Sequence, residues 1–160
     1  MKNTSLCYIK HNGKYLMLHR VVKKNDANKD KWIGIGGKFE DYESPHDCAL
    51  REISEETGLN LQADDLEYRG IVTFVSDIYE TEYMHLFTAD LTDCRGDIIS
   101  GIPERNDEGL LEWVEINKVP ELPLWEGDRI FLELLKTDRS FFSLKLKYSG
   151  DALADSVLYK

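Results

Sequence analysis

The sequence predicts an α/β fold in which a mixed β-sheet lies between helices. Short runs rich in β-branched and aromatic residues indicate strands at residues 5–9, 15–18, 68–75, 83–89, 111–114 and 142–148. Two segments with the helical spacing of apolar side chains, residues 44–57 and 128–136, indicate helices that can cover the sheet. Asn12-Gly13 predicts a tight hairpin turn between the first two strands. Polar residues 23–31 and 92–108 are predicted to form surface loops within one domain.

The first helix carries start and stop signals. Ser44 is a good N-cap, Pro45 suits the first helical position, and Asp47 places a negative charge near the helix N-terminus. Gly58 can adopt the left-handed conformation that closes a helix. A glycine-rich turn at residues 34–38 precedes this helix and lets backbone approach a metal or a phosphate.

Three carboxylates share one face of this helix. Glu52, Glu55 and Glu56 stand at positions i, i+3 and i+4, about one turn apart. Clustered anions raise one another's pKa and destabilise the fold unless a cation lies among them. Carboxylate oxygens favour Mg²⁺ or Mn²⁺. A solvated acidic face is the alternative interpretation, but the flanking glycines, the caps and the adjacent Arg51 favour a metal site.

Residues 37–59 read GKFEDYESPHDCALREISEETGL, which resembles a complete Nudix box. Every fixed position of the pattern is filled, from the first glycine through Arg51-Glu52 to the final Gly58-Leu59. By this resemblance the chain is identified as a member of the Nudix hydrolases. The resemblance implies an α/β/α sandwich, a single Nudix hydrolase domain over residues 1–160 and metal-dependent hydrolysis of a nucleoside diphosphate linked to another group.

The resemblance also implies roles for individual residues. Mg²⁺, with Mn²⁺ as a possible substitute, would be held by the three box glutamates and the Gly36 carbonyl. Arg51 would bind Glu43 bidentately, with an ordinary surface salt bridge as the alternative. Glu108 would help to hold metal or act as base. The catalytic set is therefore Glu43, Arg51, Glu52, Glu55, Glu56 and Glu108, and the choice of general base among the glutamates stays open because family members differ.

Looser motifs resemble the MutT/MutX branch, which hydrolyses oxidised purine nucleoside triphosphates such as 8-oxo-dGTP to the monophosphate and pyrophosphate. They include residues 16–20 (LMLHR), 31–34 (KWIG) and 125–128 (WEGD). By this resemblance Trp125 would stack on the purine and Asp128 would hydrogen-bond its edge, the alternatives being a core tryptophan and a helix N-cap. Ile33 stands where mammalian members have asparagine, and Gly127 where they have a second aspartate, so we expect fewer side-chain hydrogen bonds to the base.

Charge and composition limit the partners. The net charge of −10 argues against nucleic-acid polymers and anionic membranes, so a polyphosphate must meet metal and a local basic patch. Arg20 and Lys38 are candidates for that patch, together with Lys23 and Lys24, for which loop solubility is an equal alternative. Three scattered cysteines and the lack of a signal-like segment predict a reduced, cytoplasmic protein. The sequence predicts no oligomeric state.

Two other functions stay open. One is a Nudix pyrophosphatase for another substrate, such as a nucleotide sugar or a dinucleoside polyphosphate. The other is a nucleotide-binding regulator without turnover, although such regulators commonly lose box acids and this chain retains all of them.

Overall fold

The computed structural model describes residues 1–94 and 96–160. Within those ranges nine strands form one sheet. The strands are β1 (Lys2–His11), β2 (Lys14–His19), β3 (Trp32–Ile33), β4 (Ile35–Lys38), β5 (Leu66–Ser76), β6 (Glu82–Asp90), β7 (Leu110–Glu115), β8 (Phe142–Ser149) and β9 (Ala152–Tyr159). The helices are α1 (Pro45–Thr57), α2 (Gly96–Ser100) and α3 (Asp128–Thr137), with 3₁₀ turns at Ala63–Asp65 and Ile116–Glu121.

The sheet is mixed, as predicted. Its main order is β3-β2-β1-β6-β5-β8-β9, while β4 pairs with β1 and β7 pairs with β2. The pairs β1–β6 and β5–β8 are parallel, and the remaining pairs are antiparallel. β1 therefore pairs with three strands, β2, β4 and β6.

The sheet separates two hydrophobic cores. Leu6 and Tyr8 of β1 pack in the core on the α3 side, where the Tyr8 ring centroid lies 6.0 Å from that of Phe131. Cys7 and Ile9, which point the other way because side chains alternate along a strand, pack in the core on the α1 side. Helices on both faces confirm the predicted α/β/α sandwich.

Local signals set the turn and the helix caps. Asn12 and Gly13 both have positive φ, 48° and 76°, and His11 pairs with Lys14, which confirms the two-residue hairpin turn. The Ser44 hydroxyl accepts a hydrogen bond from the Asp47 N–H at 3.0 Å, and the Asp47 carboxylate accepts one from the Ser44 N–H at 2.9 Å. Gly58 closes the helix at φ 79°. The predicted bounds of α1 are therefore confirmed.

Other elements differ from the prediction. All six predicted strands are present, but β1 is longer and β3, β4 and β9 were not predicted. The expected glycine-rich turn at 34–38 is mostly strand β4, because its backbone pairs with β1. β9 lies at the outer edge of the sheet with mostly exposed side chains, so it lacks the apolar alternation that signals a strand. The predicted loop at 92–108 contains α2, and Arg95 of that loop lies outside the described residues.

No helix in the described part of the chain has the length and apolar character needed to span a membrane.

Candidate active site

The glycines of β4 let the carboxylates of α1 touch the strand backbone. The Gly36 N–H donates a hydrogen bond to Glu56 Oε2 at 3.0 Å. A Cβ atom on Gly37 would lie 2.6 Å from Cδ of Glu52, and one on Gly36 would lie 1.9 Å from the carbonyl oxygen of Ser5. Both positions therefore require glycine, and Glu52 and Glu56 lie against β4.

The three box glutamates occupy different environments. Glu56 is buried, and burial first, then the charges of Glu52 and Glu108, raise its pKa to about 8. Its Oε1 atom is buried without a hydrogen-bond partner among the described residues. Burial also raises the pKa of Glu52, whereas the Glu55 side chain is 58% exposed. On the predicted acidic face, Glu56 is therefore buried, Glu52 is partly buried and Glu55 is solvated.

Arg51 organises the acids around it. Its Nε and Nη2 atoms donate to the two carboxylate oxygens of Glu43 at 2.7 and 2.9 Å, which confirms the predicted bidentate pair. Nη1 donates to Glu52 at 2.8 Å and to Glu55 at 3.3 Å, and Nη2 also donates to the Lys38 carbonyl. The hydrogen bond from Arg51 lowers the pKa of Glu43. An ordinary surface salt bridge does not describe an arginine with this many acceptors.

The donor set fits a hard divalent cation. Among residues 1–94 and 96–160, no three acidic, histidine or cysteine side chains are already gathered around one point. Instead, Arg51 supplies the positive charge that Glu52 and Glu55 face. Glu56 Oε1 has no hydrogen-bond partner among the described residues, and the charges of Glu52 and Glu108 raise the pKa of Glu56, so the cluster has room for further positive charge. Its ligand atoms are carboxylate oxygens, which suit a hard divalent cation.

Asn106 brings the loop before β7 to the end of α1. Its Nδ2 donates to the Glu56 carbonyl oxygen at 3.0 Å, and its Oδ1 accepts from the N–H groups of Glu108 and Gly109 at 2.8 and 3.0 Å. The structure therefore places Glu108 close enough to the cluster to raise the pKa of Glu56. Asn106 was not predicted as a site residue, and its only signal in the sequence is the turn-like run Asn-Asp-Glu-Gly.

Much of the predicted basic patch is already paired. Glu108 forms ion pairs with Arg20 at 3.3 Å and with Lys23 at 3.0 Å. Arg20 also binds Asp26 at 2.6 Å. Lys23 therefore has an ion-pair partner in a different loop, the one before β7, which the loop-solubility interpretation did not include. Lys38 is exposed at the end of β4.

A cavity of about 290 Å³ opens on the α3 side of the sheet. Sequence-predicted residues from four separate segments line it: Arg20, Ile33, Gly36, Lys38, Trp125 and Asp128. Residues that were not predicted also line it, among them Thr4, Asn28, Phe74, Glu82 and Tyr148. The Gly36–Lys38 backbone lines this cavity and also contacts the box residues, through Glu56 at Gly36 and Arg51 at Lys38, so the two regions are continuous.

Asp128 is a buried acid of the cavity. It is 4% exposed, and burial, the largest cause, raises its pKa to about 8. The N-cap interpretation is wrong, because Gly127 holds the N-cap position and Asp128 makes no capping hydrogen bond. The Gly127 N–H donates instead to the Tyr148 hydroxyl at 2.8 Å. The Asp128 carboxyl therefore does not cap the helix, and Asp128 lines the cavity instead.

Trp125 forms a wall of the cavity. Its indole N–H donates to Asn28 Oδ1 at 2.7 Å, and the Tyr148 ring lies edge-on at 5.2 Å between centroids. Lys31 Nζ lies 4.7 Å from the centre of the indole ring. Trp125 is half-buried at the margin of the core rather than sealed inside it, so the core-tryptophan alternative is incomplete.

Comparison with known proteins identifies relatives of this arrangement. Residues 2–135 match the NUDIX domain family. The chain is 33% identical over 131 residues to the zebrafish (Danio rerio) oxidized purine nucleoside triphosphate hydrolase, covering 81% of this chain and 77% of that protein. The mouse (Mus musculus) protein of the same name is 30% identical over 122 residues, covering 75% of this chain and 72% of that protein.

The fold also resembles that of a crystallised MutT protein from Bacillus halodurans, with a TM-score of 0.81 and 24% identity. That similarity covers 99% of this chain and 97% of the other. At this identity it supports the fold.

Proposed function

The chain belongs to the Nudix family of hydrolases, which act on nucleotide substrates, and on that premise we propose that it hydrolyses oxidised purine nucleoside triphosphates such as 8-oxo-dGTP. The products are the monophosphate and pyrophosphate, and the activity removes damaged precursors from the nucleotide pool. The main support is the continuity of the Asp128 cavity with the box acids through Gly36–Lys38. One molecule can thereby place its base and its phosphates in the two regions.

Nudix hydrolases generally use divalent metals, and we propose Mg²⁺ here, with Mn²⁺ as a substitute. The carboxylates of Glu52, Glu55, Glu56 and Glu108 and the Gly36 carbonyl would hold it. When bound, a divalent cation neutralises phosphate charge and lowers the pKa of a nearby water. Arg51 keeps Glu43, Glu52 and Glu55 in place, so it acts through the acids that it binds.

The protein contributes positioning on the phosphate side. Lys38 and Arg20 line the cavity next to β4 and offer positive charge to the phosphates. Arg20 would exchange part of its contact with Glu108 for a phosphate oxygen, which releases Glu108 toward the box acids. Glu52, Glu55, Glu56 and Glu108 are the candidates to take the proton from the attacking water, because all four carboxylates belong to one electrostatically coupled cluster.

The base would enter the cavity beside Trp125. The indole is held from its edge by Asn28, so its orientation is fixed before a purine stacks on it. The Asp128 carboxyl retains its proton near neutral pH and can both donate and accept hydrogen bonds at the purine edge. Ile33 closes the cavity with an apolar surface where mammalian members have a polar side chain.

A substrate panel tests the proposal. We expect Mg²⁺-dependent release of pyrophosphate from 8-oxo-dGTP, with a higher kcat/KM than for dGTP. ADP-ribose, a nucleotide sugar and a dinucleoside polyphosphate belong in the same panel. A higher kcat/KM for any of those three would assign the chain to another Nudix substrate class. Binding without any turnover would make it a regulator.

A further inference from the structure

A second carboxylate lines the cavity that contains Asp128. Glu82 begins β6, its side chain is 25% exposed, and it belongs to the cavity lining together with Thr4 and Asp128. Its charge contributes to the raised pKa of Asp128, so the two carboxyls lie within electrostatic reach of each other. The hydrolytic steps described above do not use Glu82.

The sheet holds Glu82 in place. The Thr4 hydroxyl donates to Glu82 Oε2 at 2.7 Å, and Lys2 Nζ lies 3.5 Å from Oε1. Lys2 and Glu82 are register partners of the parallel β1–β6 pair, and Thr4 is buried. A carboxylate offers about four acceptor positions, so these contacts leave others free for a ligand in the cavity.

Asp128 indicates independently that the cavity receives a polar ligand. The residue is 4% exposed and lines the cavity, and within the described residues no hydrogen bond reaches its carboxyl. A buried polar group without a partner is costly, so such a group points to a ligand that completes its hydrogen bonds.

We propose that Glu82 and Asp128 together read the hydrogen-bonding edge of the purine and select guanine-type over adenine-type bases. This inference rests on the proposed function for the identity of the substrate. It adds Glu82 as a residue that determines specificity.

The selection follows from donors and acceptors. A guanine-type base presents two adjacent donors, the ring N1–H and the 2-amino group, beside the O6 acceptor. Glu82 accepts from the 2-amino group, while the Asp128 carboxyl accepts from N1–H and donates to O6. Adenine has no 2-amino group, so the Glu82 carboxylate would face a C–H and lose its water without gaining a hydrogen bond.

Binding measured without metal tests the inference separately from catalysis. Titration calorimetry in EDTA would give Kd for dGMP, 8-oxo-dGMP and dAMP on the wild type, Glu82→Gln and Glu67→Gln. Glu67 is the matched control, because it is also a strand glutamate in an ion pair, with Arg139 at 2.9 Å, but does not line the cavity. We expect Glu82→Gln to lose about tenfold of the preference for guanine over adenine, and Glu67→Gln to lose none.

The hydrolytic comparison adds a second readout. For 8-oxo-dGTP against 8-oxo-dATP, the change in Glu82→Gln should fall on KM rather than on kcat, since the box acids are untouched. If Glu82→Gln does not fold, Glu82→Met removes the acceptors while keeping an unbranched side chain of similar length. Either variant should lose the preference.

The outcomes separate the two proposals. A wild type that prefers dAMP, or a folded Glu82 variant whose preference stays within about twofold of the wild type, overturns the role of Glu82. Hydrolysis of 8-oxo-dGTP can persist in that case, and the proposed function then stands. A wild type that hydrolyses no triphosphate but shows the Glu82-dependent preference overturns the proposed function and leaves the inference intact.

Discussion

Replacing Asp128 with asparagine should make the stability of the protein less sensitive to pH. The substitution exchanges a buried carboxyl, 4% exposed, for a neutral amide of nearly the same size. Burial raises the pKa of the folded carboxyl to about 8, the charge of Glu82 adds to this, and Arg129 and Lys31 oppose it. In the unfolded chain the same group has a pKa of about 3.9.

The sign of the effect follows from these two pKa values. Between about pH 4 and about pH 8 the folded protein keeps a proton that the unfolded chain has released. The free energy of unfolding of the wild type therefore falls as pH rises, by at most about 1.4 kcal/mol per pH unit from this group. Over two units, from about pH 5.5 to about pH 7.5, the limit is about 2.7 kcal/mol. Asp128→Asn lacks this contribution, so its stability relative to the wild type should rise by about 1–2.5 kcal/mol over that interval.

Urea unfolding at several pH values measures this difference. Other acids titrate in both proteins, so their contributions cancel when the variant is compared with the wild type. Asp64→Asn, at an exposed aspartate in the 3₁₀ turn before β5, is the matched control for replacing a carboxylate by an amide. A difference for Asp128→Asn that changes with pH no more than the difference for Asp64→Asn would refute the assignment of a buried proton to Asp128.

Three further predictions concern the box and its supports. Glu55→Gln and Glu56→Gln should fold, since helix propensity hardly changes. Each should lose about two orders of magnitude or more in kcat/KM at saturating Mg²⁺. Near-normal turnover by both variants would contradict the metal assignment. Gly36→Ala should lower the free energy of unfolding by about 2 kcal/mol or more, because its Cβ would lie 1.9 Å from the Ser5 carbonyl oxygen. Gly96→Ala is the control: its Cβ would have no atom of the described residues within 4 Å, so it should be nearly neutral in the same urea titration. Tyr42→Gly should raise stability by about 0.5–1 kcal/mol, because Tyr42 is fully exposed and held at φ 70°, and an unchanged or lower unfolding midpoint would count against strain there.

Features that depend on neighbouring residues were predictable from the sequence. The Ser44 cap, the Gly58 terminus and the Asn12-Gly13 turn each involve contacts within a few residues, and each is present as predicted. The bidentate contact between Arg51 and Glu43 was predicted because the box motif fixes that spacing.

Features that depend on distant pairing were not predictable. Glu82 meets Thr4 across 78 positions of sequence, and Asn106 reaches Glu56 across 50. Glu82 belongs to no local motif and Asn106 only to a turn-like run, so their contacts arise from the register of the sheet and the path of a loop. The N-cap interpretation of Asp128 failed for a related reason, because a local preference was outweighed by the burial that the cavity imposes.

The alternation of side chains along β1 has an evolutionary consequence. Thr4, Ser5 and Leu6 all line the cavity, but the Ser5 hydroxyl lies 3.3 Å from Sγ of Cys48 on the α1 side of the sheet. Mutations at Thr4 or Leu6 can therefore change the side chains that line the cavity, while Ser5 between them remains in contact with the box helix. Substrate range and hydrolytic chemistry can diverge independently, although one strand encodes part of both.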